Sequence, residues 1–316
     1  MNIYQKLPKL FFALAPMDDV TDTVFRQIIA KYAKPDLFFT EFVNADGLQS
    51  PGRDKLIKRL KYSKIEKPII AQIWGKSPLA YTQTTKDIIK MGFNGIDINM
   101  GCPDKSVIKN GCCIALINNR TLAKELIEAT KKANKNKLPI SVKTRLGLNN
   151  IDLSWHEFLL KQDLDALIIH GRTAKQMSKV PADWGTVGKI REMRDKLSPK
   201  TLIIGNGDVE TLNQAKELAK KYKLDGVMIG RGVLNNPFVF SKSNQWQNFE
   251  VEQKKQLYLE HVKLFAKTYK NNERKIYTLN KFCKIYINGF DGAKELRDKL
   301  MKVKSIKELI NILTKS

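Results

Sequence analysis

The sequence predicts a TIM (β/α)8 barrel followed by a small all-α domain. Short β-rich segments alternate with amphipathic helical stretches through about 240 residues, which is typical of a parallel α/β architecture. Eight candidate strands are present, and their number and the length they occupy match a barrel. A doubly wound sheet is the alternative, but that fold does not need eight strand–helix units. The strand patterns stop after Asn236-Pro237-Phe238.

The candidate strands are short apolar runs bounded by turn residues. They span residues 10–15, 37–41, 68–73, 95–99, 140–144, 166–170, 201–205 and 226–229. Helical periodicity between them is clearest at residues 23–32, 78–91, 120–134 and 212–222, where apolar side chains recur on one face. The carboxyl ends of the strands are therefore the place to search for functional side chains.

The last part of the chain has a different character. Residues 250–269, 275–287 and 293–303 are lysine-rich and have the apolar stripes of helices. A boundary near Ser243 divides the chain into a barrel domain of residues 1–242 and a helical domain of residues 243–316. The helical domain has 16 Lys and Arg against 8 Asp and Glu, but the barrel is basic as well.

The chain carries a formal net charge of +24 and has a pI of about 9.8. A positive field of this size favours a polyanionic partner, nucleic acid first and an anionic membrane surface second. A lysine-rich composition without a binding role is the alternative.

Composition also bounds the compartment. No run of 18 apolar residues and no signal-peptide pattern occur, so we expect neither a membrane span nor secretion. The four cysteines (Cys102, Cys112, Cys113 and Cys283) lack the spacing of a disulfide framework or a CxxC pair. A reducing cytoplasm is the compartment that fits, and no metal site is expected.

The loops after the seventh and eighth strands predict a phosphate site. They read Asn206-Gly207-Asp208 and Gly230-Arg231-Gly232. In barrels of this type these two loops commonly bind phosphate through backbone N–H groups. Glycine allows close approach of the backbone, and an arginine adds a charged fork. Ordinary turns that close the barrel are the alternative.

Cys102 follows the fourth strand in the turn Gly101-Cys102-Pro103. A thiol on a tight loop at the carboxyl end of a strand is placed for chemistry, whereas most free cysteines are small buried hydrophobes. Gln72, Lys143 and His170 occupy the ends of other strands. Such donors and cations suit the flavin edge where charge accumulates on reduction, with Pro16-Met17 as an apolar floor. The series predicts FMN, although His170 by itself also fits a structural histidine.

Seven motifs follow one another along the barrel region. The first three are Ala15-Pro16-Met17 with Val20-Thr21-Asp22 and Phe25-Arg26, Gln72-Ile73-Trp74-Gly75, and Asp97-Ile98-Asn99-Met100-Gly101-Cys102-Pro103. The others are Lys143-Thr144-Arg145-Leu146-Gly147, His170-Gly171-Arg172-Thr173, Asn206-Gly207-Asp208 and Met228-Ile229-Gly230-Arg231. In this order they resemble the motifs of the tRNA-dihydrouridine synthase family, over about residues 10–240.

The resemblance implies an FMN-binding barrel, a helical domain that helps hold tRNA, and reduction of the C5=C6 bond of specific uridines to 5,6-dihydrouridine. Reduced FMN would give a hydride to C6, Cys102 a proton to C5, and NADPH (or NADH) would re-reduce the flavin. The residues implied to bind FMN are Pro16, Met17, Asp18, Gln72, Lys143, His170, Asn206, Gly207, Asp208, Gly230 and Arg231. Asn99, Arg145 and Arg172 would contact or flank the substrate. We expect a monomer, without a sequence feature that sets the oligomeric state.

One segment departs from the family pattern. Asn110-Gly111-Cys112-Cys113 carries two cysteines where small residues are typical, which indicates buried packing or, alternatively, an oxidisable thiol near Cys102. Two other functions stay open. A flavin barrel acting on a free pyrimidine, such as a dihydroorotate dehydrogenase, would share the fold and FMN, and a non-catalytic RNA-binding protein would lack flavin.

Overall fold

The computed structural model describes residues 2–243, 245–270 and 273–315. Nine parallel strands among them form one sheet that curls into a barrel. The strands are β1 (Phe11–Leu14), β2 (Phe38–Phe39), β3 (Val43–Asn44), β4 (Ile69–Trp74), β5 (Gly95–Met100), β6 (Ile140–Gly147), β7 (Ala166–Thr173), β8 (Leu202–Asn206) and β9 (Gly226–Ile229).

The sheet closes with eight strand positions. Its order is β1-β9-β8-β7-β6-β5-β4-β2, and β3 also pairs with β4, so β2 and β3 share one position. A bridge between Ala13 and Leu37 joins β1 to the segment before β2, where the Leu14 N–H donates to the Leu37 carbonyl at 3.1 Å. The predicted barrel is confirmed.

The second strand, predicted at residues 37–41, is the strand whose observed structure differs most from the prediction. It pairs at Phe38–Phe39, leaves the sheet, and resumes at Val43–Asn44. The Thr40 hydroxyl accepts the Gln72 N–H at 3.1 Å and donates to the Glu41 carbonyl at 2.8 Å. A side chain thus replaces the backbone acceptor of the ladder, and the chain turns so that the buried Glu41 carboxylate meets Arg274.

Helices surround the barrel and continue after it. They are α1 (Ile3–Lys6), α2 (Thr23–Tyr32), α3 (Ala45–Leu48), α4 (Arg53–Leu56), α5 (Pro78–Lys90), α6 (Lys105–Lys109), α7 (Arg120–Asn134), α8 (Leu153–Leu160), α9 (Trp184–Leu197), α10 (Leu212–Tyr222), α11 (Gly232–Asn235), α12 (Val251–Thr268), α13 (Asn280–Tyr286), α14 (Ala293–Lys302) and α15 (Ile306–Lys315). The four helices predicted between strands are confirmed as α2, α5, α7 and α10. Each begins after a side-chain N-cap that accepts an orphan backbone N–H: Asp22, Ser77, Asn119 and Thr211.

Apolar side chains fill the barrel and close its amino-terminal end. Phe39, Ile70, Ile168 and Met228 belong to one interior cluster. Tyr4 of α1 joins this cluster with its ring 6.3 Å from that of Phe11. Because this end is filled, the carboxyl end of the strands is the open one.

The C-terminal helices pack on the barrel through α2. The ring of Phe25 lies 5.9 Å from that of His261 on α12 and 5.0 Å from that of Phe282 on α13. Three predicted helices are present, the middle one beginning as a 3-10 turn at Ile276–Leu279. The fourth, α15, was not predicted, and it packs its buried Leu309 and Leu313 into the same apolar core. The boundary at Ser243 stays a prediction.

None of the described helices has the length and apolar character that crossing a bilayer requires.

Candidate functional site

The carboxyl ends of the strands enclose a cavity of about 680 Å³, a size typical of small-molecule sites. All predicted site residues except Asp18 and Arg172 line it. The lining also includes side chains that sequence reasoning missed, among them Phe42, Met177 and Ser178. Phe42 lies in the break between β2 and β3, and no sequence signal pointed to Met177 or Ser178.

The loop that carries Cys102 is held from two sides. Asn99 Oδ1 accepts the N–H groups of Gly101 and Cys102, both at 3.0 Å, while Asn99 Nδ2 donates to Gln72 Oε1 at 3.1 Å. Arg145 Nε donates to the Gly101 carbonyl at 2.9 Å. A Cβ on Gly101 would lie 3.1 Å from the Thr144 backbone, so glycine allows the loop to lie close to β6. Asn99 and Arg145 therefore position the thiol, whatever else they contact.

Cys113 lies beside the Cys102 thiol. Its hydrogen bond is the main reason that the pKa of Cys102 falls to about 7, against the opposing effect of partial burial. The Asp104 backbone and Arg145 lower this pKa further. Burial raises the pKa of Cys113 well above its usual value, so Cys113 stays protonated and can donate. The packing interpretation of the double cysteine is thus incomplete for Cys113.

Cys112 fits the packing interpretation better. It is buried, and its sulfur lies 3.7 Å from the Asn110 carbonyl.

A buried carboxylate orients the amide of Gln72. Gln72 Nε2 donates to Asp97 Oδ2 at 2.6 Å, and the Ser141 hydroxyl donates to Asp97 Oδ1 at 2.5 Å. Burial raises the pKa of Asp97 to about 6, while the Ser141 and Gln72 hydrogen bonds and Lys143 oppose that rise. Sequence reasoning did not assign Asp97 a role, although an aspartate inside an apolar strand was the available signal. With its amide fixed in this way, Gln72 presents a defined polar edge to the cavity.

Lys143 is a partly buried cation, and attraction by the Asp97 carboxylate acts to raise its pKa. Among the described residues its ammonium makes no hydrogen bond or ion pair, and burial, followed by repulsion from Arg145, lowers its pKa to about 8. Burial also lowers the pKa of Arg145, to about 10. At neutral pH both side chains are mostly charged, so the cavity favours an anion or a group that becomes negative during reaction.

His170 is neutral at ordinary pH. Burial, with repulsion from Arg145, Lys143, Arg172 and Arg231, lowers its pKa to about 2. Because Arg172 Nη1 can only donate, the 3.3 Å contact makes His170 Nε2 an acceptor and assigns the ring proton to Nδ1. The surroundings of His170 therefore support a neutral hydrogen-bond donor rather than a cation.

The loops after β8 and β9 form a set of unused donors. Hydrogen bonding within the described part of the chain leaves the backbone N–H groups of Gly207, Asp208, Gly230, Arg231 and Gly232 without an acceptor. Gly207 has a φ of 133°, and a Cβ there would lie 2.8 Å from Ala182 Cβ. Several free N–H groups beside one arginine are what an anionic phosphate requires.

The Asp208 carboxylate holds the two arginines of this region. Arg231 Nη2 donates to Asp208 Oδ1 at 3.1 Å, and the buried Arg172 pairs with Oδ2. The Ala182 N–H donates to Oδ2 as well, at 2.9 Å. Asp208 and Arg172 thus support Arg231 and His170, and Arg172 lies behind the cavity wall.

Asp18 lies away from the cavity lining. It pairs with Arg59 and, with Asp19 and Glu41, forms a cluster of three carboxylates. Arg59 and Arg274 occupy this cluster, with Arg274 Nη2 3.1 Å from Asp19 Oδ1 and Arg274 Nη1 3.0 Å from Glu41 Oε2. Arg274 comes from the C-terminal helical region, so these pairs tie that region to the loop after β1.

A family model described as "Dihydrouridine synthase (Dus)" matches residues 13–315. The chain is 44% identical over 310 residues to a probable tRNA-dihydrouridine synthase of Staphylococcus aureus (strain MRSA252), covering 97% of this chain and 93% of that one. It is 42% identical over 316 residues to the probable tRNA-dihydrouridine synthase 2 of Bacillus subtilis (strain 168), covering 99% and 95%.

Among solved structures, the fold is similar to histamine dehydrogenase from Rhizobium sp. 4-9, with a TM-score of 0.58, 14% identity, and coverage of 80% of this chain and 48% of that one. It is also similar to morphinone reductase, with a TM-score of 0.52, 11% identity, and coverage of 75% and 85%. At these identities the similarity concerns the fold.

Proposed function

The chain belongs to the dihydrouridine synthase family, and on that premise we propose that it reduces specific uridines of tRNA to 5,6-dihydrouridine with FMN and NADPH (or NADH). The observation that carries the proposal is the cavity itself. It combines a half-buried thiol at Cys102, a partly buried Lys143 ammonium that makes no hydrogen bond among the described residues, and a set of free backbone N–H groups. We place this activity in the cytoplasm, where tRNA and a reducing environment coincide.

The lining residues fit FMN. The free N–H groups of the loops after β8 and β9, with Arg231, suit its phosphate. Lys143 and His170 offer a cation and a neutral donor to the flavin edge that gains charge on reduction, and Gln72 offers its fixed amide. The Pro16-Met17 segment adds apolar surface. When bound, FMN would supply the hydride that C6 of uracil receives.

Cys102 is the proton donor in this proposal. With a pKa of about 7, the thiol is roughly half protonated at neutral pH, which is close to the optimum for general acid catalysis. The proton passes from Cys102 Sγ to C5 as the double bond is reduced. Asn99 and Arg145 hold the loop in place for this transfer, and the charge of Arg145 offsets negative charge that develops on the uracil.

The substrate must be extruded to reach this cavity. A uridine stacked in folded tRNA is brought out of its stack at a cost of a few kcal/mol, and lysine and arginine contacts to phosphates offset that cost. The net charge of +24 suits such contacts. We assign part of them to the C-terminal helices, which Arg274 and the Phe25 contacts anchor to the barrel.

The direct test is purification followed by turnover. The protein should release FMN on denaturation and, with NADPH, should form dihydrouridine at defined positions of an unmodified tRNA transcript. Free uracil, uridine and orotate serve as comparison substrates. A protein without flavin, or one that reduces a free pyrimidine and not tRNA, would contradict the proposal. Comparing NADPH with NADH identifies the reductant.

We predict that Arg231→Ala weakens FMN binding. The lost contact is a charge-assisted hydrogen bond, worth about 1.5–3 kcal/mol, and the lower end applies because the Arg231 side chain is 60% exposed. Isothermal titration of the flavin-free protein with FMN measures the loss. Arg120→Ala is the matched control, since Arg120 is another partly exposed arginine paired with an aspartate, outside the cavity lining. Unchanged affinity in Arg231→Ala would put the phosphate elsewhere.

We predict that Cys113→Ala shifts the pH dependence of dihydrouridine formation. The acid must be protonated, so the wild-type rate should fall as pH rises above about 7, the pKa of Cys102. Removing the Cys113 hydrogen bond removes the largest cause that lowers this pKa, so the fall in rate should begin at a higher pH. Cys112→Ala should leave the pH at which the rate falls unchanged. A rate that falls at the same pH in Cys113→Ala as in the wild type would mean that Cys113 does not lower the pKa of Cys102.

We predict that the C-terminal helices contribute to the salt dependence of tRNA binding. Lys281, Lys284, Lys302 and Lys304 are all exposed, and Asn280 Nδ2 contacts the Met301 carbonyl at 3.4 Å, which brings the start of α13 to the end of α14. Each neutralised phosphate contributes about −0.7 to −0.9 to the log–log salt slope.

Replacing these four lysines by glutamine should therefore flatten the slope measured by filter binding. Neutralising four exposed lysines of α10 and its C-cap (Lys216, Lys220, Lys221 and Lys223) is the control, and should change the slope little. Equal slopes in both variants would mean that the barrel binds tRNA without these helices.

A further inference from the structure

The loop between β7 and α9 forms part of the cavity rim and is pinned at both ends. At its start, the Thr173 N–H donates to Gln176 Oε1 at 2.8 Å and the Gln176 N–H donates to Thr173 Oγ1 at 3.2 Å. Toward its end, the buried Arg172 donates through Nε to the Val180 carbonyl at 2.5 Å. Residues 177–181 between these anchors are exposed. The loop is thus an ordered projection at the mouth of the site.

Met177, in the exposed part of this loop, belongs to neither hydrophobic cluster of the core. Met177 is 46% exposed. Its backbone has a φ of 53°, a left-handed conformation that residues other than glycine rarely adopt. Of the exposed large hydrophobic side chains in the described residues, Met177 alone lines the cavity. Such a combination indicates a ligand contact rather than a packing role.

Lysines flank this side chain. Lys175 and Lys179 lie two residues before and after Met177, and both are exposed. Among the described residues neither makes an ion pair with an acidic side chain. An apolar tip between two unneutralised cations is complementary to a nucleic acid strand, in which apolar base faces lie between negative phosphates. It is not complementary to an apolar protein surface, which would leave both ammonium groups desolvated without a partner.

We propose that Met177 is an RNA wedge: it fills the gap in the base stack that the extruded uridine leaves, while Lys175 and Lys179 contact the flanking phosphates. Methionine suits this role because it is unbranched and polarisable and adapts to a flat base, and apolar side chains inserted between base steps stabilise unstacked nucleic acid. The proposal rests on tRNA being the substrate and adds to it a binding element at the cavity rim.

The wedge should matter only when a stacked base has to be extruded. In a short single-stranded RNA the uridine is already free to leave its neighbours. Extruding it therefore opens no gap in a base stack that Met177 has to fill. Folded tRNA and a single-stranded oligomer with the same sequence around the uridine therefore separate this role from a contact with the reacting base.

The experiment compares Met177→Ala, Met177→Leu and Leu79→Ala with the wild type. Leu79 is a matched control, because it is 78% exposed but does not line the cavity. We expect Met177→Ala to lower both kcat/KM and affinity for unmodified folded tRNA about fivefold to tenfold, from the apolar surface that it removes. Met177→Leu should retain most of both, and Leu79→Ala should change neither. Turnover of the single-stranded oligomer and FMN content should be unchanged throughout.

The outcomes are distinguishable. Unchanged affinity for folded tRNA in Met177→Ala, or an equal loss on both RNA substrates, would overturn the wedge. A protein that binds a peptide or membrane surface through this loop, and no tRNA, would overturn it as well. If the wild type binds tRNA but forms no dihydrouridine, the proposed function fails, while the affinity difference between Met177→Ala and Leu79→Ala still decides the wedge.

Discussion

Cys102→Ala should lower the rate of dihydrouridine formation about 10²- to 10⁴-fold, the usual range for loss of a general acid. The thiol lines the cavity and has a pKa of about 7, so its loss leaves C5 of the uracil without a positioned proton donor. Single-turnover reaction of the pre-reduced protein with tRNA, followed by quantification of dihydrouridine, measures the step directly. Fold and FMN content should be retained, because the Asn99 and Arg145 contacts to this loop use backbone atoms.

Two controls accompany this variant. Cys112→Ala should retain most activity, since its thiol faces the Asn110 carbonyl. Reduction of bound FMN by NADPH should proceed normally in Cys102→Ala, because that half-reaction needs no proton from Cys102. An activity loss in Cys112→Ala equal to that in Cys102→Ala, or full turnover without Cys102, would remove Cys102 from the role of acid.

Lys143→Met should lower the rate of flavin reduction by NADPH about 10²- to 10³-fold, the range seen when one donor to a developing charge is removed. Lys143 makes no hydrogen bond or ion pair among the described residues, and its pKa of about 8 keeps it mostly charged at pH 7. A partly buried cation without a hydrogen-bonded partner is costly for the empty protein, and it becomes favourable when negative charge accumulates beside it. The reduction potential of bound FMN should fall in the variant.

Stopped-flow absorbance of the flavin and a potential measured against a reference dye provide the two readouts. Lys143→Arg retains the charge and should keep most of the potential. A potential unchanged in Lys143→Met would show that this lysine does not face the flavin edge.

The position of Cys113 illustrates what the sequence could not anticipate. Two adjacent cysteines at an unusual place were visible in the sequence, but whether either touched Cys102 depended on how the segment after α6 folds back over β5 and β6. Cys113 adopts a φ of 53° and is only 1% exposed, and its hydrogen bond lowers the Cys102 pKa. Adjacent residues in sequence thus have different partners, since their side chains leave the backbone in different directions.

The sequence by itself determined the barrel and most of its mouth. Parallel strands buried on both faces read as short apolar runs, and the side chains that follow them converge because the carboxyl ends of all strands meet at one face. Gln72, Cys102, Lys143, His170 and Arg231 were found by this logic, and the structure brings all five to one cavity.

The tertiary structure alone decided which of these groups are free and which are already engaged. Asp18 pairs with Arg59 outside the cavity lining, and Arg172 is engaged by the lining residue Asp208. Asp97 is buried behind Gln72, and Met177 is held at the rim by a loop with no sequence signature. The periodicity of apolar residues shows which face of a helix or strand is buried, because that pattern lies within the sequence of the element itself. Hydrogen-bond partners, pKa shifts and exposed tips arise from contacts between segments far apart in the chain, and no local pattern encodes them.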